Sequence, residues 1–264
     1  MRVAAVQCRP VFDDAEQACG AIVERLRWAD AEGVDLLLFP EAWLLGHSYE
    51  EGTIRARAEA GAAALAALCE RAAGFATTLV VGAFEALDGK WFNSAFVIEA
   101  GHIVGRYAKA HPNEAGVTPG AEFPVFTRSC LRYGINICND ANHPEAAARL
   151  VEQGAQLILY PLNNLLRPAI AERWRAKSLA NLVARARETG CWVVSADVAG
   201  SCGGRLSYGC TVIVSPGGDV IARVRELDEG VAMVDLEVRT QRNSQVPSSR
   251  PGSSVNSPAT ARPR

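Results

Sequence analysis

Three residues of this 264-residue chain combine reactive side chains with a shared setting: Glu41 follows the apolar run LLLFP, Lys109 follows IVGRYA, and Cys138 follows GINI. In an α/β sheet the carboxyl ends of strands are where ligands and catalytic groups collect. A thiol with a pKa of about 8.5 is only a few per cent ionised at neutral pH, so a nucleophilic cysteine needs a nearby base or cation. A carboxylate and an ammonium are groups of those kinds. Taken singly, each residue also has an ordinary reading. Buried thiols pack as small hydrophobes, a lysine before a loop is usually solvated, and a glutamate after a strand caps a helix or faces water.

The elements that must position these groups are legible as alternating patterns. Residues 2–7 form a β-prone run, and 14–32 carry Ala18, Ile22, Leu26 and Ala29 at helical spacing. The run 34–39 is continuously apolar, as in a strand covered on both faces, and ends at Pro40-Glu41. After an Ala-rich helix at 55–73, three consecutive strands are expected at 77–85, 91–98 and 102–108, separated by Asp-Gly and Ala-Gly turns. A loop at 110–122 precedes a strand at 130–137 that delivers Cys138, a helix started by Pro144, and a buried strand at 155–160. Helix 171–189 and strand 191–197 repeat the unit, and strands at 206–214, 219–224 and 230–236 follow. Two strand–helix blocks with consecutive strands between and after them predict an α/β protein with mixed sheets, and hint at pseudo-symmetry. One domain over 1–240 and a Ser/Pro/Arg-rich C-terminal tail over 241–264 are expected.

Composition narrows the function. A net charge of −2 offers no field to hold a phosphate backbone or an anionic membrane. No apolar stretch approaches the roughly 20 residues that span a bilayer, and the N-terminus lacks the pattern of a secretion signal. Eight cysteines at scattered positions inside apolar runs read as reduced, which predicts a cytoplasmic protein. The four histidines show no paired ligand spacing and no CxxC pair occurs, so no metal site is expected. G-x-S-x-G and phosphate-binding glycine motifs are also absent.

Three stretches, LLLFPEAWLLGHS (36–48), GRYAKAHPNEAGVTPG (105–120) and YGINICNDANHPEAAARLVEQGAQLILYP (133–161), resemble the signature blocks of the nitrilase superfamily, the carbon–nitrogen hydrolases, in order and context. The likeness extends over about residues 2–237. It implies an α-β-β-α sandwich that commonly dimerises, so a homodimer or higher homo-oligomer is expected. It also places the family's catalytic glutamate at Glu41, its lysine at Lys109 and its cysteine at Cys138, with no cofactor. The backbone N–H of Asn139 would help bind the oxyanion, and Glu114 matches a further glutamate that orients the lysine and the substrate. Asn142, His143 and Trp174 are candidates to line the pocket, against a plain reading as loop or packing residues.

The resemblance thus implies hydrolysis of a small amide through a Cys138 thioester. N-carbamoyl amidohydrolase and nitrilase activity with the same triad are alternatives, as is a catalytically silent binding subunit. Family members commonly carry an aromatic residue directly after the cysteine and an Arg-Phe-Pro-Glu run. This chain has Asn139 and then Asn142-His143-Pro144-Glu145, which changes groups close to the substrate and leaves its identity open.

Overall fold

Strand-forming and helix-forming runs alternate twice along the chain, and the structure, a computed structural model describing residues 1–237, turns each alternation into one half of the molecule. The first half runs β1 (Arg2–Gln7), α1 (Ala15–Ala31), β2 (Leu36–Leu38), α2 (Glu51–Ala72), β3 (Thr78–Leu87), β4 (Lys90–Glu99) and β5 (His102–Ala108). After β6 (Val125–Arg128) come β7 (Leu131–Ile135), α3 (Pro144–Glu152), β8 (Leu157–Pro161), α4 (Pro168–Thr189) and β9 (Trp192–Ala196). The hairpin β10 (Gly200–Cys202) and β11 (Arg205–Ser207) then precedes β12 (Val212–Val214), β13 (Val220–Arg223) and β14 (Gly230–Asp235).

Two six-stranded sheets result, one ordered β5-β4-β3-β2-β1-β14, with β14 returning from the end of the described chain to join the first half, and the other β13-β12-β9-β8-β7-β6. Read in that direction, both show the same succession of antiparallel and parallel neighbours. The pseudo-symmetry hinted at by the sequence is therefore a property of the fold.

Side-chain alternation along each strand makes the layers. Val3 and Ala5 of β1 join Leu36, Leu38 and Val80 against Ile135, Leu157, Leu159 and Val194 of the other sheet, forming the core between the sheets. The opposite faces, including Ala4, Val6 and Leu37, are covered by Ile22 and Leu26 of α1 and Leu65 and Leu68 of α2. On the far side, Leu150 of α3 and Leu182 and Ala186 of α4 cover Ile158, Tyr160, Val193 and Val212. The result is the expected α-β-β-α sandwich.

Local signals set the helix ends. Asp14 caps α1 by accepting from the Gln17 N–H at 2.9 Å, Pro144 and Pro168 open α3 and α4, and Gly190 ends α4 with φ +65°.

One expected strand is broken. The run 206–214 divides into β11 and β12 because Gly209, at φ +81°, brings the backbone against Gln7, and a Cβ there would lie 2.4 Å from its side chain. The partner strand β10 was not expected at all. The boundary at 240 and the tail over 241–264 lie outside the described residues. No helix among the described residues is long and apolar enough to cross a membrane, and all eight cysteines are free.

Candidate active site

Three chain segments converge where strands of both sheets end. Glu41 lies just past β2, in a turn that runs close against β3. A Cβ on Gly82 would sit 2.3 Å from the Ala42 nitrogen, so the turn needs glycine at that position. Ala42 itself takes φ +46°. Lys109 directly follows β5, its backbone N–H donating to the Asn93 carbonyl at 2.8 Å and its carbonyl accepting from Gly120 at 2.8 Å. Cys138 opens the 3-10 turn Cys138–Asn142 after β7 with φ +40°. A cysteine in the left-handed region is strained, and such strain persists where surrounding structure enforces it.

Glu41, Lys109 and Glu114 form one buried cluster. Lys109 Nζ lies 2.7 Å from Glu41 Oε1 and 2.6 Å from Glu114 Oε1, and all three side chains are at most 1% exposed. Asn93 Nδ2 donates to the same two oxygens, at 2.8 Å each. His47 Nε2 lies 2.9 Å from Glu114 Oε1, and the Asn113 N–H donates to Glu114 Oε2 at 2.9 Å. Glu114 thus has both oxygens engaged, whereas Glu41 Oε2 is buried without a hydrogen-bond partner among the described residues.

The electrostatics follow from this packing. Burial alone would lower the Lys109 pKa, but the Glu41 and Glu114 carboxylates and Cys138 raise it well above the usual range. Burial opposes ionisation of Glu114 as well, yet the Lys109 charge and the His47 hydrogen bond hold its carboxyl well below the ordinary value. Burial and the Glu41 carboxylate push the Cys138 thiol well up, against the opposing pull of Lys109 and the Asn163 backbone N–H. The resting sulfur is therefore a thiol that needs a base. Glu41, His47 and Glu114 are close enough together to suggest a metal site, but the ammonium of Lys109 already occupies the space between the carboxylates.

Cys138 opens onto a cavity of about 360 Å³. Of the residues expected around it, Asn139, Asn142 and Trp174 line the cavity. The two asparagines are tied into a chain of amides: Asn181 donates to Asn142 (2.8 Å), Asn142 to Asn139 (2.9 Å), and Asn139 to the His111 carbonyl (2.9 Å). No hydrogen bond runs from the Asn139 backbone N–H to another described residue. His143 is a correction, since it is not among the lining residues. The chain leaves the 3-10 turn there, and its ring stacks on His111 at 3.8 Å and 2°. Glu145 Oε1 lies 3.2 Å from His143 Nδ1 and 3.6 Å from His111 Nε2, so the stacked pair and this carboxylate bring three possible ligand atoms within 4.8 Å of one another.

Sequence reasoning missed the residues that hold these groups in place. Asp140 is fully buried and accepts from the Ile137 N–H (2.8 Å), Tyr107 Oη (2.8 Å) and the His111 N–H (2.8 Å), locking the nucleophile turn to the loop after Lys109. Asn93 had a visible signal, a fully buried amide in the middle of an apolar strand. His47 lies within the first signature block. Asn163 had no local signal, because its partners are remote in sequence.

A family model for carbon–nitrogen hydrolases matches residues 2–243. A protein named nitrilase from Pyrococcus abyssi is 25% identical, the match covering 93% of each chain. A deaminated glutathione amidase from Bos taurus is 29% identical over 89% of this chain and 76% of its own. Among solved structures, an amidase from Nesterenkonia sp. superposes with a TM-score of 0.80 at 25% identity, covering 89% of this chain and 90% of that one. Related structures of that amidase hold butyramide or an acetamide group bonded to the active-site cysteine.

Proposed function

The chain belongs to the carbon–nitrogen hydrolase family, and on that premise we propose that it hydrolyses a small amide to a carboxylic acid and ammonia through a thioester on Cys138. In this reading Glu41 is the general base and Lys109 stabilises the oxyanion. The carrying observation is the contrast between the two buried carboxylates. Both Glu114 oxygens already accept hydrogen bonds from the protein, while Glu41 Oε2 stands unpartnered among the described residues. Charge supports the same assignment. With both carboxylates ionised and Lys109 protonated, the cluster carries one net negative charge. Moving the Cys138 proton onto Glu41 keeps that total, whereas releasing it to water would add a second buried negative charge.

The bond changes follow. Glu41 Oε2 takes the thiol proton as Sγ bonds to the amide carbon, and the carbonyl electron pair moves onto oxygen. Lys109 Nζ and the Asn139 N–H meet that charge; losing one such donor typically costs about 2.7–4 kcal/mol. Glu41 then passes its proton to the nitrogen, the C–N bond breaks and ammonia leaves. A water gives its proton to Glu41 while its oxygen bonds to the thioester carbon. The C–S bond breaks, the acid departs and the proton returns to sulfur. Glu114 and Asn93 keep the lysine aimed throughout. Similarity to an amidase whose active-site cysteine takes covalent addition of an acetamide moiety supports this chemistry.

The test is a panel of aliphatic amides, N-carbamoyl amino acids and nitriles, followed by ammonia release and by intact mass under turnover. Ammonia from at least one amide is expected, with an acyl adduct on Cys138, and both should vanish in Cys138→Ala. No ammonia and no adduct across the panel would instead mean a binding subunit without catalysis.

A further inference from the structure

His111, His143 and Glu145 form a second group of ligand-type side chains, and none of them lines the cavity beside Cys138. Glu145 Oε1 stands 3.2 Å from His143 Nδ1 and 3.6 Å from His111 Nε2. Two atoms that share a tetrahedral Zn²⁺ through bonds of about 2.0–2.1 Å lie about 3.3–3.4 Å apart. The carboxylate oxygen is therefore already near ligand spacing from both imidazoles.

The fold fixes one of the three in advance. The backbone N–H and the ring Nδ1 of His111 both lie on Oδ1 of the fully buried Asp140, at 2.8 and 3.0 Å. A carboxylate only accepts, so Nδ1 carries the ring proton and Nε2 keeps its lone pair. A carboxylate behind the far nitrogen is the usual way in which a metal-binding histidine is oriented. His111 Nε2 makes no hydrogen bond among the described residues. The side chains of His143 and Glu145, 36% and 62% exposed, stand beside it with room to move. The two rings stack in parallel at 3.8 Å, so an ion in the plane of His111 is met by His143 turning about its Cβ–Cγ bond, a torsion with broad preferences.

We propose that His111 Nε2, a ring nitrogen of His143 and the Glu145 carboxylate bind a divalent transition-metal ion of the Zn²⁺ class, with solvent completing its coordination. Imidazole and carboxylate both suit Zn²⁺, and three protein ligands with one open position are a coordination zinc commonly takes. His111 belongs to the loop after Lys109, whereas His143 and Glu145 follow the turn of Cys138. The ion clasps that loop to the end of the nucleophile turn and takes no part in the bond changes. His111 and His143 are remote in sequence and meet only through the fold, so no ligand spacing marks them. His143 also stands where members of the family commonly carry phenylalanine, so the site is a feature of this chain and does not depend on the amide-hydrolase reading.

The experiment titrates Zn²⁺ into the full-length protein, first freed of metal with a chelator, and follows binding by calorimetry. One tightly bound ion per chain is expected. His143→Phe keeps a ring to stack on His111 but offers no ligand atom, and Glu145→Gln removes the carboxylate from an exposed position. Each should weaken binding by at least roughly ten- to a hundredfold, the range that follows loss of even an outer partner of a metal ligand. Zn²⁺ should also raise the melting temperature of the parent more than that of either variant.

Co²⁺ in place of Zn²⁺ reports the ligand atoms. The first ion bound should show d–d absorption without a thiolate charge-transfer band, and His143→Phe should abolish it. A thiolate band on that first ion would place it on a free cysteine and overturn the proposal. No uptake of Zn²⁺ by the parent, or binding unchanged in either variant, would overturn it equally. If His143→Phe does not fold, Glu145→Gln decides the matter alone, because its side chain is 62% exposed and carries no packing.

Discussion

Asn163 holds Glu41 from behind: its side-chain amide donates to the Glu41 carbonyl at 3.3 Å, while the Glu41 N–H donates to the neighbouring Leu162 carbonyl at 3.1 Å. The backbone N–H of the same asparagine favours the Cys138 thiolate. One residue just past β8 therefore ties Glu41 of one sheet to Cys138 of the other. Asn163→Ala removes the side-chain donor and leaves the backbone donor in place. It should cost about 1–3 kcal/mol of stability and lower kcat more than it raises KM, as read from urea melts and steady-state kinetics.

Substituting the two glutamates should give unequal results. Glu41→Gln removes the free carboxylate oxygen and should lower kcat by roughly 10²–10⁴-fold, the usual share of a general base. Alkylation of Cys138 by iodoacetamide should slow with it, because the thiol has lost its proton acceptor. Glu114→Gln keeps one oxygen for Lys109 but turns an amide donor towards Asn113 N–H or His47. It should lose less in kcat and retain most of the alkylation rate. Equal alkylation rates in the two variants would count against Glu41 as the base.

Stability of the charge cluster should depend on pH with a definite sign. The Glu114 pKa is lowered on folding, so its contribution is present above the unfolded value, about 4.3, and is lost as pH falls through the folded value. The Lys109 pKa is raised, so its contribution is complete below about 10.4 and is lost as pH rises through the folded value. Lys109→Met leaves two buried carboxylates without their counter-ion and should cost roughly 3–5 kcal/mol near neutral pH. Below neutrality the variant should regain stability as one carboxylate takes up a proton. Melting temperatures between pH 5 and pH 8 should rise towards the acid side in the variant, whereas the Glu114 and Lys109 contributions of the parent are constant over that range.

Gly82→Ala tests whether the turn carrying Glu41 is sterically determined. With backbone 2.3 Å from the added carbon, the turn must shift, at a cost of about 1–3 kcal/mol. Activity should fall further than stability alone explains, since displacing a reacting group by about 1 Å can cost about a hundredfold. Activity measured well below the melting temperature separates the two effects.

The catalytic candidates were readable in the sequence because a reactive polar residue closing an apolar strand is a local pattern. Glu41, Lys109 and Cys138 all have that form. Glu114 could be assigned only through the family's loop motif, since nothing about a glutamate between Asn113 and Ala115 shows that Lys109 will reach back to it. His143 was misjudged because adjacency along the chain ignores direction, and the 3-10 turn carries its ring outwards. Asn163 and His47 stayed hidden for a different reason. Their roles come from pairings across strands and between sheets, which no local window contains. The β10–β11 hairpin was hidden by the glycine break at 209, which reads as a weak point in one strand rather than the end of two.

The matching of the two halves has a consequence for how the molecule can fail. Glu41, Lys109 and Glu114 follow strands of one half, while Cys138 and Asn163 follow strands of the other. On the proposed mechanism neither half can be a weaker enzyme by itself, because each holds only part of the reacting groups. Turnover is thus a direct gauge of docking, and any lesion that loosens one sheet from the other should silence the protein before it unravels either half.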